Sequence, residues 1–194
     1  VDGDGSTPHA SSNTDIVGKA KEPATANLEN PEYWQQLVQS RMKVGQGGGV
    51  EGALLANHQL EQDTPRMQSQ LAEDGYVQSG PLLEAAPLRA IVDAIKDLQA
   101  EGWPPVAVFM YDEVWDVVAS LWPFAESLLG GPVVLEPSFT AFRLNHALSR
   151  ESNKYVGTNF GLPHRDYTYA ESVGGDGDPR LLSVWLPLND ITLD

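Results

Sequence analysis

The segment Gly161-Leu162-Pro163-His164-Arg165-Asp166-Tyr167 sets an imidazole and a carboxylate two residues apart. On an extended chain, residues i and i+2 point to the same face, so His164 and Asp166 can converge on one ion. A neutral imidazole nitrogen and a carboxylate oxygen are two legs of the facial triad that holds Fe(II) with open coordination positions. A second histidine from elsewhere would complete the triad. The same tripeptide also reads as a surface loop carrying a solvated histidine and an Arg165–Asp166 ion pair, and spacing alone does not separate the two readings.

Other chemistry-bearing residues are sparse. The chain has no cysteine, which excludes disulfides, thiolate metal sites and cysteine nucleophiles. It lacks a Gly-x-Ser-x-Gly elbow, a His-Glu-x-x-His zinc helix and a Walker-type phosphate loop. The glycine-rich run Gly45–Gly49 has no Lys-Ser/Thr ending and reads as a linker. On the strand-prone run Phe142-Arg143-Leu144-Asn145-His146, Arg143 and Asn145 share a face. They are candidates to touch a co-substrate or substrate, and ordinary exposed polar positions explain them equally well. His146 is a substitute metal ligand on one reading and a structural or surface histidine on the other. His9 and His58 suggest no role.

The elements that would position these residues fall into two textures. Residues 1 to about 29 are rich in Gly, Ser, Thr, Asn, Asp and Ala without periodicity, and read as a flexible acidic tail. Asn30-Pro31 is a helix start, with Asn30 as cap and proline at the first helical position. Tyr33, Trp34, Leu37, Val38 and Met42 follow at helical spacing, and a second short helix is expected over 50–60. Residues 30–63 thus form an N-terminal helical extension. Its aromatic stripe either packs on a neighbouring core or docks on a partner. Thr64-Pro65 repeats the cap-then-proline signal and opens a helix through Leu71 that stops near Gly75, followed by an extended Tyr76–Gln78. Leu88, Ile91, Val92, Ile95 and Leu98 define an amphipathic helix closed by Gly102. Two more helices are expected over 112–120 and 122–129, ended by Gly130-Gly131. After Pro132 the runs Val133–Leu135, Thr140–Leu144, Tyr155–Phe160 and Leu181–Leu188 are short, β-prone and divided by Gly, Pro, Asn and Ser. Helices first and strands afterwards predict an α+β arrangement.

Leu71-Ala72-Glu73-Asp74-Gly75-Tyr76, then His164-Arg165-Asp166-Tyr167, then Leu182-Ser183-Val184-Trp185-Leu186-Pro187-Leu188-Asn189-Asp190 occur in an order that resembles the phytanoyl-CoA dioxygenase family. The resemblance covers residues 64–194, read as the first part of such an oxygenase domain. It implies N-terminal helices packed on a double-stranded β-helix, a jelly-roll or cupin-like barrel, incomplete in this chain. It implies an Fe(II)- and 2-oxoglutarate-dependent dioxygenase that hydroxylates a small organic substrate, with His164 and Asp166 as catalytic iron ligands. Trp185 matches a tryptophan that lines the 2-oxoglutarate pocket in some members, the alternative being a barrel-core aromatic. The family's distal histidine and its 2-oxoglutarate-binding arginine come after the Trp-containing strand, where this chain has no histidine and no arginine. The expectation is an N-terminal portion of a longer protein that binds iron poorly alone. The competing reading is a non-catalytic jelly-roll binding module or pseudoenzyme.

Composition bounds the partners. Twenty-seven acidic against 12 basic residues give a formal net charge of −15 over 194 residues. Such a field repels nucleic-acid phosphates and anionic membranes, so neither is an expected partner, and the resemblance implies a small-molecule substrate and dioxygen. No apolar run reaches the roughly 20 residues a membrane-spanning helix needs. The default expectation is a cytoplasmic location, with an organelle matrix as the alternative.

Overall fold

Asn30 caps the first helix as its type and position predict. Its carboxamide oxygen accepts from the Glu32 amide at 2.9 Å, and Pro31 opens α1 (Pro31–Leu37). The computed structural model describes residues 28–47, 58–141 and 166–190. The expected tail, except its last residues, lies outside the described residues, as do Thr140–Leu144 beyond Ala141, the run Tyr155–Phe160, and most of the expected short helix over 50–60.

α1 ends earlier than its apolar stripe. Gln39 and Ser40 take positive φ values of 54° and 56°, which stop the helix. Met42 therefore reaches the core from a turn and not from a helical face, yet it is buried all the same. α2 (His58–Asp74) starts six residues before the Thr64-Pro65 signal and carries Pro65 within it. Proline lacks an amide hydrogen, so one intrahelical bond is missing there. α2 ends at Gly75, whose φ of 77° is accessible to glycine at little cost.

α3 (Ala85–Ala100) buries Ile91, Ala94 and Leu98, which recur at helical spacing. A 3₁₀ helix, η1 (Pro105–Met110), follows and was not anticipated from the apolar run Val106–Met110. α4 (Asp112–Ser120) and α5 (Trp122–Leu129) occupy their expected ranges, and α5 is closed by Gly130 at φ 71°. α3 packs on η1 and α4, η1 on α4, and α5 on α4 and α2.

One core runs through this body. Trp34, Val38, Met42 and Val44 join Leu83, Ile91, Ala94, Leu98, Val108, Tyr111, Val114 and Val117. Each large side chain so buried contributes about 1.5–3 kcal/mol relative to exposure. Polar atoms in the core are partnered. The Tyr111 hydroxyl donates to the Trp34 carbonyl at 2.7 Å, and the Trp34 indole N–H donates to the Leu28 carbonyl at 2.8 Å. Burial pushes the Tyr111 phenol well above its ordinary value, with the nearby Tyr33 adding to the effect. The Trp103 indole donates to the Tyr33 hydroxyl at 3.1 Å, and the two tryptophan rings, Trp34 and Trp103, lie 4.8 Å apart. The aromatic stripe of residues 33–42 is thus taken up by its own chain, which corrects the reading of it as a docking face.

A loop amide cluster fastens the same segment. The Gly45 and Gln46 amides donate to the Asp112 carboxylate at 2.9 Å each, and the Lys43 amide donates to both Glu113 carboxylate oxygens at 3.1 Å. The Asp112 amide returns a bond to the Lys43 carbonyl at 3.0 Å. Arg41 adds an ion pair to Asp97.

The expected α+β barrel is not what forms. About 50% of the confidently placed chain is helical, 2% is strand, and no sheet occurs among the described residues. Val133–Leu135 and Leu181–Leu188 form no ladder, and β-pairing among the described residues takes the form of isolated bridges, such as the antiparallel Val173↔Pro179. The physical reason lies in what the apolar surfaces meet. The helices bury their faces against one another, and a β-prone run becomes a sheet only where neighbouring strands take up its backbone groups. The jelly-roll reading is therefore withdrawn. No described helix is long and apolar enough to cross a membrane.

Candidate functional site

Asp166 is the one proposed metal ligand within the described residues, and it is exposed. His164, Arg143, Asn145 and the substitute His146 lie outside them. Asp166 is followed at once by a built turn. Thr168 caps the short helix α6 (Tyr169–Ser172) in a reciprocal capping box. The Glu171 carboxylate accepts from the Thr168 hydroxyl at 2.6 Å and from the Thr168 amide at 2.8 Å. These two bonds, the hydroxyl's first, hold the Glu171 carboxyl below its ordinary value. Thr168-x-x-Glu171 is the sequence signature of such a box and could have been read in advance.

A tight hairpin comes next. The Gly174 amide donates to the Asp178 carbonyl at 2.8 Å, the Gly177 amide to the Gly174 carbonyl at 3.0 Å, and the Arg180 amide to the Ser172 carbonyl at 2.8 Å. Gly177 sits at φ 91°, where a side chain would be strained. A Cβ at Gly174 would meet the Arg180 guanidinium and the Asp176 carboxylate, the mobile ends of two exposed side chains that would have to swing aside. The Arg180 guanidinium lies 3.8 Å from the Asp176 carboxylate.

The chain then runs without helix or strand to a bend at Leu188-Asn189. Leu186 and Leu188 pack against the helical core, while Ser183, Val184, Trp185 and Pro187 are exposed. Trp185 is 57% exposed, so it is not a core aromatic. Leu186 and Leu188 stand two residues apart, the spacing at which an extended chain puts both side chains on one face. What they pack against is the common core, with no sheet among the described residues.

These elements order the chain that follows Asp166 without assembling a full ligand set among the described residues. Among the described residues no group of three or more His, Cys, Asp or Glu side chains could hold a metal ion. The donor chemistry of His164 and Asp166 suits two legs of an Fe(II) site, of which Asp166 alone lies within the described residues. A shallow open recess near the end of α5 is lined by Pro123, Glu126, Ser127, Gly130, Gly131 and Pro132. With one ionisable side chain and none of the candidate residues, it offers no catalytic constellation. The comparisons add no relative: no protein-family model, curated protein or solved structure matches this chain.

Proposed function

We propose that this chain contributes His164 and Asp166 to the iron site of an Fe(II)- and 2-oxoglutarate-dependent dioxygenase that hydroxylates a small organic substrate. The observation that carries the reading is the order of pieces in the sequence: Asp74-Gly75-Tyr76, the His164-x-Asp166 pair, and the Leu182–Asp190 segment with Trp185. Two features of the structure are compatible with it. Asp166 is exposed, and the capped turn at Thr168 fixes the direction in which the chain leaves it. Trp185 is displayed on a segment whose neighbours Leu186 and Leu188 are anchored, which would hold the indole in place as one wall of a co-substrate pocket.

In this scheme Asp166 supplies a carboxylate oxygen and His164 a neutral imidazole nitrogen, and the third ligand comes from elsewhere. Dioxygen reacts slowly with closed-shell organic molecules, and a bound open-site Fe(II) supplies the reducing metal that activates it. The resident carboxylate also bears on the outcome. Halogenation in this chemistry uses the carboxylate position for halide, and Asp166 fills it, so hydroxylation follows.

The test is succinate release from 2-oxoglutarate by the full-length protein with Fe(II) and dioxygen, beside its Asp166→Ala variant. The wild-type protein should release succinate, and the variant should fall to the metal-free background. Equal release by both would remove Asp166 from the site and the reading with it.

A further inference from the structure

We draw no further inference here: the strongest candidate, the exposed apolar stretch Val184–Trp185 on the extended segment that Leu186 and Leu188 anchor to the helical core, carries none because nothing in the structure shows what covers it.

Discussion

Residues 28–129 and residues 132–190 contain apolar runs of similar strength and treat them differently. In the first region Val38, Leu98 and Tyr111 are 0% exposed and Val108 is 1% exposed. In the second, Val134 is 91%, Val184 61% and Trp185 57% exposed, and every buried hydrophobic residue among those described lies before residue 129. The difference is one of partners. A helix satisfies its own backbone and needs only a neighbouring face to bury a stripe of side chains. An extended segment needs neighbours on both its edges and its faces before the same side chains leave water. Leu186 and Leu188 show the halfway case, half-buried against the core and part of no ladder.

The sharpest way to break this contrast is a pair of tryptophan deletions. Trp34→Ala should cost about 3–5 kcal/mol in denaturant unfolding, because it removes a buried indole and leaves a cavity. Trp185→Ala should change stability by less than about 1 kcal/mol, as an exposed position does. Comparable losses from the two would mean that the C-terminal segment is as deeply buried as the helical body.

Tyr111→Phe keeps the ring and removes only the hydroxyl that donates to the Trp34 carbonyl. The cost expected is about 1–3 kcal/mol, the penalty of leaving a buried carbonyl unsatisfied. A midpoint in urea unchanged from wild type would show that water reaches that carbonyl. Asp112→Ala should cost about 1–2 kcal/mol, since two loop amides lose their acceptor and α4 loses a first-turn carboxylate. Amide exchange would localise it: the Gly45 and Gln46 protons should exchange faster while those of α3 keep their protection.

The smallest effect is confined to the second region and depends on pH. The Glu171 carboxyl is held below its ordinary value of 4.5 by Thr168. The capping box therefore contributes in full above that value and is lost as the pH falls through the lowered one. The Thr168 amide resonance should shift over that acidic window while amides in α3 and α4 stay put. A midpoint at or above 4.5 for the Glu171 carboxyl would show that the box does not persist in solution.

How legible this was from sequence follows the same division. Asn30-Pro31, the α3 period and the two short helices at 112–120 and 122–129 could be read because helices are specified by local spacing and caps. Thr64-Pro65 misled by its strength: a cap residue before proline is a good start signal, but α2 tolerates Pro65 internally. The carboxylate-to-loop bonds of Asp112 and Glu113 link residues some 66–70 positions apart, so no local pattern announces them. The runs Val133–Leu135 and Leu181–Leu188 form no sheet because β-prone composition reports what a segment would suit as a strand and not whether a partner strand is at hand. For the candidate site, the exposed Asp166 and the Thr168 cap were readable from neighbouring residues. A third ligand is a long-range property of the fold, and neither spacing nor composition supplies it.

The bond from Tyr111 to the Trp34 carbonyl spans 77 residues, and those from Trp103 to Tyr33 and from Lys43 to Glu113 span 70 each. Translation turns those separations into time. At about 5–20 residues per second, roughly 4–15 s pass between the synthesis of Trp34 and that of Tyr111. Through that interval Trp34 waits for the hydroxyl that its carbonyl will accept from, while Trp103, its ring neighbour, is made only shortly before. The nascent chain is then open to chaperone capture, and the arrival of α4 ends the wait.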